Sequence, residues 1–282
     1  MIADAKDFIT PHITDAHTLD YPCFHTGFVC EYELPRWNPI HIGNFALDIS
    51  PTRHVVMLWI AAVLCIVTTL LALRAHNRKT REGKAPSGFG NGLEALVLYL
   101  RNEVVIPNVG PHGNGYVPYL LTLFFFILFA NLLGLVPYGA TATGNISVTA
   151  SLAIVTFIVI EIAGIKAQGR GYINTIIFWP HDMSLGMKLF ISPILTPIEL
   201  IGKFTKPFAL AIRLFANMVS GHVVLLALIS LIFTFGSWLL VPAPILIALA
   251  VSLLELFVAF LQAFIFTLLS SVFIGLIREG AH

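Results

Sequence analysis

Charge is what this 282-residue sequence has least of: 11% of its residues are Asp, Glu, Lys or Arg, against about 25% in a soluble globular domain. That shortfall excludes an ordinary water-soluble fold. With 57% hydrophobic residues, the chain has its core in lipid. A net charge of +1 gives no support to nucleic-acid binding. Cysteine is scarce as well, with only Cys23, Cys30 and Cys65, and their spacing fits no zinc or haem signature. Cys65 sits in an apolar run and reads as a small buried hydrophobe. Cys23 and Cys30 are placed to form a disulfide if the N-terminal segment lies outside the cytoplasm. The first residues lack the charged-then-apolar pattern of a cleavable signal. HExxH, P-loop and GxSxG motifs are missing, which removes support for metalloprotease, nucleotide-binding and serine-hydrolase chemistry. The run Gly88-Phe-Gly-Asn-Gly-Leu fits no dinucleotide fingerprint and reads as a flexible turn. His12, His17 and His25 are too scattered to make a metal site, so no cofactor is expected.

Long apolar runs are what the sequence has instead. A bilayer core takes about 20 apolar residues per helical crossing, and five runs qualify: 55–75, 117–138, 147–165, 208–235 and 245–277. Between the first two, 91–105 places Leu93, Leu96, Val97 and Leu100 on one helical face, with Glu94, Arg101 and Asn102 away from it. That pattern predicts a helix lying on the membrane surface. The expected fold is an all-α membrane protein with five transmembrane helices and one interfacial amphipathic helix. Residues 1–45 form an external N-terminal segment, where Cys23, Cys30, Trp37 and several prolines suggest order. Residues 46–282 form the membrane domain.

Basic residues set the orientation. Arg74, Arg78, Lys79, Arg81 and Lys84 follow the first run; Lys166 and Arg170 follow the third; Lys188, Lys203 and Lys206 precede the fourth; Arg278 follows the fifth. Residues 139–146 and 236–244 contain neither lysine nor arginine. The positive-inside rule then puts the N-terminus outside and the C-terminus in the cytoplasm, with Arg53 the one charge on the wrong side. The last two runs extend roughly 42 and 50 Å at a 1.5 Å rise, against a core of about 30 Å. With Gly236, Pro242 and Pro244 between them, they are expected to form a long, strongly tilted hairpin.

Polar groups inside these runs carry the chemistry. An arginine near the centre of a membrane helix costs at least about 2.5–3.5 kcal/mol on insertion scales, so Arg213 calls for a function. The competing reading is that it snorkels to the cytoplasmic interface near Lys206. Asn217 and Ser220 share its helical face, and Glu199 joins them if the helix continues through Pro207. His222 lies about 180° away around the same helix. Glu255 and Gln262 share a face of the last run. Nothing basic in that run neutralises Glu255, which makes His222 its natural partner, as a proton relay or as a buried packing pair. Gln262 serves transport or bonds a neighbouring helix. Asn131 lines a water path or does the same. Glu161, near Lys166, reads as a solvated interfacial carboxylate.

The stretch Lys206-Pro-Phe-Ala-Leu-Ala-Ile-Arg-Leu-Phe-Ala-Asn-Met-Val-Ser-Gly-His222 closely resembles the signature of subunit a of F-type ATP synthases. Leu261-Gln-Ala-Phe-Ile-Phe266 is similar to that family's final-helix signature. Phe129-Ala-Asn-Leu-Leu-Gly-Leu-Val-Pro137 resembles its motif near the start of the membrane domain. The resemblance runs from about Ile42 to the C-terminus. It implies a non-catalytic, proton-translocating stator subunit of a bacterial inner-membrane ATP synthase, packed against a ring of c subunits and held by peripheral-stalk b subunits. It also implies two half-channels, with Arg213 as the essential arginine, Asn217 and Gln262 as its polar neighbours, and Glu199, His222, Glu255 and Asn131 lining the channels. Many bacterial members carry the acid and the histidine of the His222–Glu255 pair exchanged. A secondary transporter is a competing reading, but no internal repeat is visible. An intramembrane hydrolase is another, but it wants a nucleophile or metal triad that is missing.

Overall fold

The computed structural model describes residues 15–21, 30–42, 45–48, 50–81, 88–110, 113–136, 139–172, 185–235 and 241–279. Within them lie five helices long and apolar enough to cross a membrane, so the fold is that of an all-α membrane protein. They belong to α1 (Arg53–Arg81), α4 (Val117–Leu135), α5 (Ile146–Gln168), α6 (Leu185–Phe235) and α7 (Pro242–Glu279). Between α1 and α4 run α2 (Phe89–Tyr99), a π-helical turn (Leu100–Val105) and the short α3 (Ile106–Val109). The helix predicted there is therefore present, two residues earlier at its start and continued past residue 105. The reading of Gly88 to Leu93 as a flexible turn is overturned. Helix begins at Phe89, and Gly88, at φ 81°, supplies the positive-φ entry that other residues resist.

Two small hairpins precede α1. β1 (Thr18–Tyr21) pairs antiparallel with β2 (Cys30–Glu33), and β3 (Ile40–Ile42) with β4 (Phe45–Leu47). Strands of three or four residues are too short to leave a readable period, so the sequence suggested order here without its type. Cys30 is disulfide-bonded and Cys65 is a free thiol; Cys23, His12 and His25 lie outside the described residues. Arg53, the cation on the unexpected side, is buried at 4% exposure.

α6 departs most from expectation. It begins at Leu185, not near Phe208, and runs 51 residues through Pro193, Pro197 and Pro207. Each proline removes one backbone donor. In apolar surroundings the remaining backbone groups have no better partner than the helix itself, so the helix persists.

Packing divides the chain into two compact units: one of Met1–Leu70, Phe125–Val148 and Leu214–Ala263, the other of Leu71–Phe124, Thr149–Arg213 and Phe264–His282. In the second, Val105, Val109, Val117, Leu120, Ile160, Ala163 and Ile274 form a buried core. The C-terminal end of α7 is fastened there. Arg278 Nη1 donates to the Val109 carbonyl at 2.7 Å and its guanidinium sits over the Tyr116 ring, while Gln168 Nε2 donates to the Ile277 carbonyl. Gly275 permits the approach, since a Cβ there would lie 1.9 Å from the Asn108 carbonyl oxygen. Gly275→Leu must displace backbone and is expected to destabilise the fold by about 1–3 kcal/mol or more. A lower thermal midpoint of the purified subunit would register this, and an unchanged one would refute it.

Candidate functional site

The first unit assembles its polar groups where its parts of α6 and α7 meet. His222 Nδ1 donates to Glu255 Oε1 at 3.1 Å, joining the two helices. Glu255 is 4% exposed, and its Oε2 is buried with no hydrogen-bond partner among the described residues. A buried carboxylate oxygen without a partner carries its full desolvation cost. Gly221 creates the space, because a Cβ there would come within 2.7 Å of Glu255 Oε1.

The far ring nitrogen of His222 accepts from Thr141 Oγ1 at 3.2 Å. Thr141 precedes a short 3-10 turn, Ala142–Gly144, in the uncharged connection between α4 and α5. From that turn Thr143 Oγ1 donates to Asn131 Oδ1 at 2.7 Å, and Asn131 Nδ2 donates to the Ala259 carbonyl at 3.1 Å. Asn131 is thus a completed link between α4, the turn and α7, fully buried at 0% exposure. Gly134 lets Thr141 seat, since a Cβ there would lie 2.2 Å from Thr141 Oγ1. Gln262 is buried on the stripe of α7 that carries Glu255 and Ala259.

In the second unit, Arg213 projects from α6 with its side chain exposed. It forms no hydrogen bond or ion pair among the described residues. Asn217, one turn on along the helix, belongs to the first unit and is half-buried. Because α6 is continuous through Pro207, Glu199 belongs to the same helix as Arg213. Glu199 lines a cavity with Glu161, Lys203, Lys206, Phe157 and Phe273. Lys203 Nζ lies 3.6 Å from Glu161 and donates to Tyr172 Oη at 3.1 Å.

Sequence reasoning therefore paired His222 with Glu255 and put Gln262 on the right face. Thr141, Thr143, Gly134 and Gly221 carry no such signal in the sequence, and Glu161, expected as a solvated interfacial acid near Lys166, has Lys203 of α6 at 3.6 Å. The two threonines show only as hydroxyl-bearing residues in a loop free of charge, Gly139-Ala-Thr-Ala-Thr-Gly-Asn145. Among the described residues there is no group of three or more side chains suited to a metal ion.

Residues 55–275 match the family described as ATP synthase A chain. The chain belongs to that family. A relative named ATP synthase subunit a from Chloroherpeton thalassium is 46% identical over 265 residues, spanning 94% of this chain and 74% of the relative. One from Anaeromyxobacter dehalogenans is 43% identical over 278 residues, with 95% and 70% covered. One from Myxococcus xanthus is 43% identical over 281 residues, with 96% and 89% covered. As an ATP synthase A chain, the protein is a multi-pass, non-catalytic subunit of the membrane sector, serving ATP synthesis and proton transport.

Proposed function

We propose that this A chain is the stator of a rotary ATP synthase, forming two proton half-channels against a ring of c subunits. The observation that carries the reading is Arg213, an exposed guanidinium on an apolar helix with no acidic partner among the described residues. A charge in that position calls for a carboxylate from another chain. Such a carboxylate in lipid is held neutral by desolvation and ionises when it meets the guanidinium, so its proton leaves there. The same fixed charge stops protons passing directly from one half-channel to the other. Asn217 and Gln262 flank the arginine in this reading. Asn131, His222 and Glu255 line the outer half-channel, and Glu199 the inner one.

The helix lengths support the tilted hairpin. At a 1.5 Å rise, α6 and α7 extend roughly 77 and 57 Å, far beyond a core of about 30 Å, and a slanted pair follows the curve of a ring. The charge pattern supports an external N-terminal segment (1–45), a membrane domain (46–282) and a cytoplasmic C-terminus. The bacterial relatives support an inner-membrane location, with peripheral-stalk b subunits as further partners.

The test is physical association. A Ser220→Cys variant, exposed on α6, is expected to cross-link to a ring of small hairpin proteins that copurifies in mild detergent. Purification of the chain without any such ring would sink the reading and favour a self-contained transporter.

A further inference from the structure

Asp15, in the N-terminal segment, pairs with His54 of α1 and is seated against the loop that holds the His222 cluster. Asp15 Oδ1 accepts from His54 Nδ1 at 2.6 Å, and its other oxygen accepts from Asn145 Nδ2 at 3.3 Å. The backbone holds the segment in place: Arg53 N donates to the Ala16 carbonyl at 2.9 Å and Leu34 N to the His17 carbonyl at 2.8 Å. Asn145 in turn accepts from Ser147 N at 2.9 Å, so Asp15 ties the start of α1 to the start of α5. Asn145 directly follows the turn from which Thr141 reaches His222 and Thr143 reaches Asn131. The two members of the pair differ sharply in exposure: the Asp15 side chain is 31% exposed and that of His54 only 6%.

We propose that Asp15 and His54 form the outer proton-loading pair of the half-channel that leads to His222 and Glu255. This inference rests on the half-channel reading above. Asp15 meets the external water, while the His54 imidazole, behind it, is the group that takes the proton. Histidine is the side chain suited to changing charge between pH 5 and 8. Partial burial pushes the Asp15 carboxyl up, but the hydrogen bond and charge of His54, aided by Thr52, outweigh it and hold it below the usual carboxylate range. Asp15 therefore stays an anion that draws protons onto its neighbour. The other titratable groups around the pair are His17, which donates to the Pro51 carbonyl, buried Arg53, and, on the far side of His17, Asp48 and Arg36. The connection 139–145 contributes none.

The test uses the whole complex in liposomes, with the N-terminal side facing the lumen and a fixed potassium diffusion potential driving ATP synthesis. Lumenal pH is varied. Asp15→Asn is expected to slow synthesis several-fold at alkaline lumenal pH and to recover to the wild-type rate at acidic pH, with Asp15→Glu restoring the normal profile. An equal loss at every pH in an assembled complex would make the pair a mere strap, and an unchanged profile would dismiss it altogether; either result overturns the inference. Should Asp15→Asn fail to assemble, His54→Gln decides: slower synthesis that acid does not restore supports the pair, and a wild-type response overturns it. His222→Ala, run in parallel, separates the two levels. If it too were fully active, the half-channel reading would fall; if it were inactive beside a normal Asp15→Asn, only the loading pair would.

Discussion

Arg213→Ala is expected to abolish ATP-driven proton uptake into inverted vesicles while leaving the complex assembled. The side chain is exposed and unbonded within the described part of the chain, so its removal leaves no cavity and no orphaned partner. Taking an arginine out of an apolar span also relieves an insertion cost of at least about 2.5–3.5 kcal/mol. Misfolding is therefore a poor explanation for lost activity. What the alanine loses is the charge that ionises the rotor carboxylate and blocks the short path between half-channels. Without it, a proton crossing 100 mV still releases about 2.3 kcal/mol, but that energy no longer turns the ring in one direction. Pumping that survived the substitution would reduce Arg213 to an interfacial anchor and revive the transporter alternative.

Breaking the His222–Glu255 pair is expected to slow proton-driven ATP synthesis at least about a hundred-fold, the usual worth of a positioned proton-transfer group. His222→Ala leaves a buried carboxylate without the side-chain partner it has among the described residues, a loss of about 3–5 kcal/mol for a broken buried pair. Glu255→Leu removes the carboxylate and keeps the packing, so it separates lost proton transfer from lost stability. The exchange His222→Glu with Glu255→His is the decisive variant. It restores an acid and an imidazole across the same helix contact, with Gly221 still leaving room on α6. The exchanged protein should synthesise ATP far faster than either single substitution, a coupling that a double-mutant cycle measures directly. Rates no better than the single variants would mean that the pair only packs the helices together.

Much of this was legible in the sequence because lipid is an exacting solvent. Five apolar runs had to become helices, since no other element satisfies its backbone in hydrocarbon. Arg213, Glu255 and Gln262 stood out because each is costly where it sits. The helix period placed Glu255 and Gln262 on one face, and burial bears that out. Pro207 left the continuity of the helix open, yet α6 runs through it and through Pro193 and Pro197 as well. The same continuity brings Glu199 onto the helix of Arg213, a relation the sequence stated only as a condition.

The sequence alone determined that the chain is helical and membrane-embedded, which polar side chains share a face in the last two spans, and which of its charges need a partner. These are properties of single segments meeting a solvent, and composition and period carry them. Only the tertiary structure decided which segments meet. Thr141 reaches His222, Thr143 reaches Asn131 and Asp15 reaches His54 and Asn145, across gaps of 81, 12, 39 and 130 residues respectively. A hydroxyl or a carboxylate in an uncharged loop has no local signature of its partner. Its role is fixed when distant helices close around it and leave one hydrogen-bonding group within reach.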